Sequence, residues 1–217
     1  MSKGKNNLSL SKIAKELDIQ LVGGTGNETF NGISIDSRTL EPNDIFIALK
    51  GLSNDGHDYL IEAKEKGATA LVVEKDISID KPYFLVNDCY KFLDYLAKYQ
   101  RDIFTGKVIG LTGSNGKTTT KEIIYSLLQK DGCHKTKGNK NNHIGVPLTL
   151  SSLSNDYKYA VIEIGTNSPG EISNLSAKAE PDVALILNAA ASHLEKLDSV
   201  KKVAKEKSYI LEHLHKD

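Results

Sequence analysis

Lys107-Val108-Ile109-Gly110-Leu111-Thr112-Gly113-Ser114-Asn115-Gly116-Lys117-Thr118-Thr119 is the stretch that decides the architecture. A short apolar run, Val108 to Leu111, leads directly into a glycine loop, and a helical pattern from Lys117 to Lys130 follows. A strand that ends in such a turn and opens a helix aims several backbone N–H groups at one point, where the helix dipole favours an anion. Gly113 and Gly116 let the backbone curl without side-chain obstruction. Lys117 can reach the β/γ-phosphates of a nucleoside triphosphate, and Thr118 can place its hydroxyl on Mg²⁺. Gly113, Ser114, Asn115, Gly116, Lys117, Thr118 and Thr119 are therefore the expected nucleotide-binding residues. The strict form of this loop has glycine where the chain has Leu111, a departure that the strand–loop–helix context outweighs.

Downstream, Tyr159 to Ile164 and Val183 to Leu187 read as further apolar strands, with a helix between them near Glu171 to Ala179. Apolar strands alternating with helices predict a parallel sheet covered on both faces. A last helix is expected from about Val200 to Leu214. Three central strands make a thin sheet for a doubly wound domain, so an incomplete domain is expected. Upstream, Leu10 to Leu17 opens with a capping residue and carries Ile13, Ala14 and Leu17 on one face. Strands are expected at 32–36, 44–49, 69–74 and 83–87, and a helix between Gly56-His57-Asp58 and Lys66-Gly67. Cys89 to Phe104 is a helical pattern with Phe92, Leu96 and Tyr99 on one stripe. The expected domains are 1–88, a connecting helix at 89–106, and 107–217.

Bulk properties narrow the function classes. The 217 residues carry 28 Lys plus Arg and 28 Asp plus Glu, with 39% hydrophobic residues. A balanced charge argues against nucleic acid as the main partner, which usually demands a basic excess. Cys89 and Cys133 have no metal-ligand spacing and read as free thiols of a reducing compartment. No apolar run approaches the ~18 residues of a membrane span, and the N-terminus lacks a signal-peptide core. A soluble, cytoplasmic protein without membrane or nucleic-acid partners is the expectation.

Phosphate loops serve many reactions, so the loop alone names none. A GTPase would carry Asn-Lys-x-Asp, and Asn139-Lys140-Asn141-Asn142 lacks the aspartate. Four further stretches accompany the loop: Gly138 to Leu150, Glu163 to Ile172, Asn188 to Glu195, and Val203-Ala204-Lys205-Glu206-Lys207. In the first part, Asp36-Ser37-Arg38, Asp44 to Gly51 and Asp55-Gly56-His57-Asp58-Tyr59 join them. Together these motifs resemble the Mur ligases of peptidoglycan synthesis, in order and over nearly the whole chain. The related folylpolyglutamate synthases share the loop, but the Asp-Ser-Arg and Asp-Gly-His motifs argue against them.

The resemblance implies an α/β protein: a small N-terminal α/β uridine-nucleotide domain followed by an incomplete parallel-sheet P-loop ATPase domain. It implies ATP and Mg²⁺ as cofactors. The carboxylate of UDP-N-acetylmuramoyl-tripeptide would attack the γ-phosphate of ATP, and the amino group of D-Ala-D-Ala would displace phosphate from the resulting acyl phosphate. Bringing two anions together requires cations to neutralise both. The D-Ala-D-Ala site and a third domain are expected outside these residues, so that the chain alone does not complete ligation; a separate C-terminal half is one implied partner. A non-catalytic nucleotide- or UDP-sugar-binding module is the competing reading.

Glu163 stands at a strand's C-terminal end, where open α/β sheets form their ligand crevice. On the residues alone it reads equally as a Mg²⁺ ligand or a strand-end carboxylate; the resemblance favours the ligand, alongside Thr118. His193 alone reads as a surface or packed imidazole, and the resemblance makes it a ligand of a second Mg²⁺. Lys207 reads as a solvated lysine, since an ammonium cannot bind a cation. The resemblance implies that it reacts with CO₂ to form a carbamate, an anionic oxygen ligand; Lys205 is the rival, disfavoured by the Val-Ala-Lys-x-Lys spacing. Lys117, His193 and Lys207 are the implied catalytic residues. Asn141, Asn142, Thr166 and Asn167 are implied contacts of the UDP-muramoyl substrate, and Ser37 and Arg38 of its uridine diphosphate end. Two departures stand out. The family's usual Leu-Glu-x-Phe-Gly-Ser is here Leu194-Glu195-Lys196-Leu197-Asp198-Ser199, losing a glycine. Its usual Gly-Glu-Ile after the lysine is Ser208-Tyr209-Ile210.

Overall fold

Short buried runs in the first hundred residues pair into a sheet of alternating strand and helix. The elements are β1 (Asn6–Ser9), α1 (Leu10–Glu16), β2 (Gln20–Val22), β3 (Thr29–Phe30), β4 (Gly32–Ser34), β5 (Asp44–Ile47), α2 (Leu60–Glu65), β6 (Ala70–Val73), β7 (Tyr83–Leu85) and α3 (Cys89–Ile103). They come from a computed structural model that describes residues 6–192 and 194–215. The chain divides into two compact units, Met1–Tyr99 and Gln100–Asp217.

In the first unit, β4, β5, β6 and β7 are parallel neighbours and β2 adds antiparallel to β7, giving the order β2-β7-β6-β5-β4. Every residue of β5 and β6 is buried, as for parallel strands covered on both faces. Phe46, Ala48, Leu71 and Val73 pack with Leu60 and Ala63 of α2 on one face. β1 and β3 form a separate antiparallel pair.

The second unit contains β8 (Lys107–Thr112), α4 (Lys117–Leu128), β9 (Cys133–Lys135), α5 (Gly145–Leu150), β10 (Tyr159–Glu163), α6 (Glu171–Ala179), β11 (Val183–Ile186), α7 (Leu194–Leu197) and α8 (Val200–Ser208). Its sheet is parallel throughout, in the order β11-β8-β10-β9. The α/β class and parallel sheets match the sequence reading. Four strands, not three, make this sheet; the unexpected one is β9. It is only three residues long, and its place is set by pairing with Tyr159 to Val161 and by burial of Cys133. The last helix is also shorter than expected, ending at Ser208 and tightening into a 3₁₀ turn at Tyr209–Leu211.

Leu111 explains why the loop tolerates leucine there. Its side chain is buried with Cys133 and Val161, under Ile124, Tyr125 and Leu128 of α4. β8 connects through α4 to one side of the sheet, while β10 connects through α6 to the other. Neighbouring strands whose connections diverge open a crevice at their carboxyl ends, and the loop and Glu163 lie at the carboxyl ends of β8 and β10. No helix among the described residues is long and apolar enough to cross a membrane.

Candidate nucleotide and metal site

Gly116 has φ 81° and stands at the N-cap of α4 without a side-chain cap bond. The left-handed turn is open to glycine at no steric cost. The first-turn N–H groups of a helix have no intrahelical acceptor and suit an anion. The segment after β11 braces the loop. Ser114 N–H donates to Asn188 O at 3.2 Å and Asn115 N–H to Asn188 Oδ1 at 3.0 Å, while Asn188 Nδ2 donates to Asn115 O at 3.1 Å. Ala190 N–H donates to Ser114 Oγ at 3.0 Å, and the Ser114 and Ser192 hydroxyls are 3.0 Å apart. Lys117 Nζ donates to Gly113 O at 2.7 Å, folding its ammonium back over the loop. Asn188 is a brace that the sequence reading did not single out, although its place directly after an apolar strand at the crevice edge is a usable signal.

Glu163, 1% exposed, is the centre of a hydrogen-bonded group. Thr118 Oγ1 lies 3.1 Å from Oε2 and 3.3 Å from Oε1, and Asn141 Nδ2 donates to Oε1 at 2.7 Å. Glu163 N–H donates to Thr136 Oγ1 at 3.0 Å, and Gly165 N–H to Asn141 O at 2.8 Å, fixing the strand end and the Asn141 segment together. Lys121 Nζ stands 3.6 Å from Oε2. A carboxylate beside a hydroxyl at the mouth of a phosphate loop is a hard oxygen donor set, which suits Mg²⁺. No group of three or more His, Cys, Asp or Glu that could hold a metal occurs among the described residues. Thr118 and Glu163 are the residues that would hold a Mg²⁺ here.

Lys207 is 2% exposed on α8. Burial, and then the charge of Lys117, pull its ammonium down to about 8, against a smaller opposing effect of Glu206. Glu206 itself is buried and accepts the N–H groups of Gly170 and Ile172, each at 2.9 Å, tying α8 to the start of α6. His193 lies outside the described residues. Where the resembled pattern has glycine, Asp198 takes φ 59°, so the turn keeps a glycine-like backbone. Ser199 then caps α8, accepting Lys202 N–H at 3.3 Å.

The remaining predicted contacts are engaged locally. Asn142 Oδ1 accepts the N–H groups of Ile144 and Gly145, opening α5. Thr166 Oγ1 donates to Ser168 O, and Asn167 N–H donates to Glu171 Oε2. In the first unit Ser37 Oγ donates to Glu62 Oε2 at 2.9 Å, whereas the Arg38 side chain, 83% exposed, is held by Asp36. The structure thus gathers Thr118, Asn141 and Glu163 around one carboxylate beside the loop that carries Lys117.

Two family profiles match the chain: "Mur ligase middle domain" over residues 111–217 and "Mur ligase family, catalytic domain" over residues 29–101. UDP-N-acetylmuramoyl-tripeptide–D-alanyl-D-alanine ligase of Escherichia coli (strain K12) is 41% identical over 204 residues, 94% of this chain and 45% of that protein. A crystal structure of MurF from Acinetobacter baumannii has a TM-score of 0.85 at 32% identity, covering 100% of this chain and 48% of that one. The MurF ligase of Thermotoga maritima, solved in complex with ADP, has a TM-score of 0.72 at 37% identity over 86% of this chain and 44% of that one. The chain spans less than half the length of these relatives.

Proposed function

The chain belongs to the Mur ligase family, and we propose that it supplies the uridine-nucleotide and phosphate-binding portion of an ATP-dependent ligase that joins D-Ala-D-Ala to UDP-N-acetylmuramoyl-tripeptide. The observation that carries this reading is the pairing of the loop's Thr118 with Glu163 across the ends of adjacent parallel strands. Residues 1–88 are assigned to the UDP-muramoyl substrate, 89–106 to a connecting helix and 107–217 to ATP. A cytoplasmic location follows from the two nucleotide substrates.

The chemistry asks for charge neutralisation first. A carboxylate oxygen of the tripeptide attacks the γ-phosphorus, ADP leaves, and the amine of D-Ala-D-Ala then displaces inorganic phosphate from the acyl phosphate. The loop N–H groups and Lys117 hold the phosphates, and Thr118 and Glu163 would hold Mg²⁺, which when bound offsets phosphate charge. Lys207 is assigned as a carbamate. With its pKa lowered to about 8, about a tenth of the side chain is the neutral amine at pH 7. That amine attacks the carbon of CO₂ and loses a proton to water, leaving an anionic oxygen. His193 is assigned with it to a second metal. Asn141, Asn142, Thr166 and Asn167 are assigned to the muramoyl substrate, and Ser37 and Arg38 to the uridine diphosphate, where the exposed guanidinium of Arg38 suits phosphate.

Calorimetric titration with ATP and Mg²⁺ tests the reading: the chain binds, and Lys117→Met does not. Titration with UDP-N-acetylmuramoyl-tripeptide tests the first unit. Because the chain spans under half of the length of its relatives, ligation by these residues alone is not expected. Formation of the pentapeptide product by the purified chain would overturn that part. Absence of ATP binding would overturn the whole.

A further inference from the structure

Lys121 carries a charge into the core of the second unit. It follows Thr118 by three residues on α4, a spacing that puts both on one helix face. Its side chain is 0% exposed. Burying an ammonium is costly unless it is paired and hydrogen-bonded, and an apolar side chain of similar size would avoid that cost. The ammonium has three donors. It donates to Gly138 O and lies 3.4 Å from Glu122 Oε1 and 3.6 Å from Glu163 Oε2.

Gly138 and Glu163 lie at two ends of one arrangement. Gly138 begins the segment that carries Asn141, whose side chain donates to Glu163 and whose carbonyl accepts Gly165 N–H. We propose that Lys121 is a positioning residue that clamps the Glu163 carboxylate and the Gly138 carbonyl together, holding the Asn141 segment on Glu163 and orienting that carboxylate toward Thr118. The metal-binding half of this proposal rests on the nucleotide-site reading; the clamp itself does not.

Amide hydrogen exchange on the ligand-free chain tests the clamp. Losing a charge-assisted hydrogen bond corresponds to about tenfold or more in a local opening equilibrium. In Lys121→Met, exchange over residues 138–142 and at Gly165 is expected to rise by about tenfold or more, above any rise in the rest of the second unit. No rise there, or a uniform rise following global stability, overturns the proposal. Calorimetry supplies the second measurement: Lys121→Met retains the ATP affinity seen without Mg²⁺ and loses most of the gain that Mg²⁺ adds. Loss of both in equal proportion counts against positioning. Should Lys121→Met fail to fold, Lys121→Met/Glu163→Gln removes both buried charges and carries the exchange measurement. Wild-type protein that binds no ATP overturns the nucleotide-site reading, while exchange still decides the clamp.

Discussion

The side-chain amide of Asn141 donates to Oε1 of Glu163 at 2.7 Å, and Gly165 leaves room for that amide. A Cβ on residue 165 would stand 2.6 Å from Asn141 Oδ1 and 2.7 Å from its Cγ. The glycine two residues beyond the carboxylate is therefore a matter of space rather than backbone freedom.

Gly165→Ala is expected to fold, because the displaced atoms end a side chain that can turn away. The turned amide leaves Glu163 with one hydrogen bond fewer, a loss of about 1–3 kcal/mol for a buried charged acceptor. The expected result is a modest drop in thermal midpoint with a larger loss of Mg²⁺-linked ATP affinity, read by calorimetry with and without the metal. Unchanged Mg²⁺ linkage would show that the Asn141–Glu163 bond does not prepare the site.

Lys207 gives the second unit a pH dependence of definite sign. Its pKa falls from 10.5 to about 8 on folding, mainly through burial. Between those values the unfolded chain binds a proton that the folded chain has lost, so stability rises with pH through this window. Below about 8 both states are protonated and the burial penalty is fully present. Urea unfolding of the CO₂-free protein, in which Lys207 is the free amine, is expected to show a gain of at most about 3 kcal/mol from this group across the window. Lys207→Met removes the gain and is the more stable protein at neutral pH. An unaltered pH profile in the variant would assign the slope elsewhere.

Apolar runs made most of this architecture legible. Val108 to Leu111, Tyr159 to Ile164 and Val183 to Leu187 announce strands by composition, and the glycine loop announces its own position between strand and helix. β9 was hidden because Cys133-His134-Lys135 has one apolar residue in three, and only its neighbour on β10 makes it a strand. α5 was hidden because Gly145 and Pro147 read as loop punctuation, although proline is tolerated in a helix's first turn and Asn142 caps the start. Thr118 was legible from the loop, whereas the position of Glu163 alone reads equally as a Mg²⁺ ligand or a strand-end carboxylate. Lys121 was not legible, since a lysine on a helix is ordinarily solvated and only the fold shows that this one points inward.

Asp198 is a test of how a turn survives the loss of its glycine. Its φ of 59° lies in the left-handed region, which aspartate enters more readily than most residues. The exposed ion pair with Lys202 adds little. Asp198→Gly is expected to change stability by less than about 0.5 kcal/mol, while Asp198→Val costs about 1–2 kcal/mol through clash of the branched side chain. Equal stability of the three proteins in urea would mean that the turn rearranges freely.

Glu206, next to Lys207 on α8, ties that helix to the start of α6. Its carboxylate accepts the N–H groups of Gly170 and Ile172 at the start of α6, a helix that its own N-cap residue does not cap by a side chain. The negative charge also meets the positive end of the α6 dipole. Glu206→Gln keeps the size but offers one acceptor where two are used, and turns an amide N–H toward a backbone N–H. A loss of about 1–3 kcal/mol is expected, measured by urea unfolding. The charge of Glu206 also holds the Lys207 ammonium up, so in this variant Lys207 falls further below its ordinary value. The alkaline rise in stability should then begin at lower pH and grow larger than in the wild type, although the protein is less stable at pH 7. A variant that loses stability without widening this pH window would show that Glu206 acts on α6 alone.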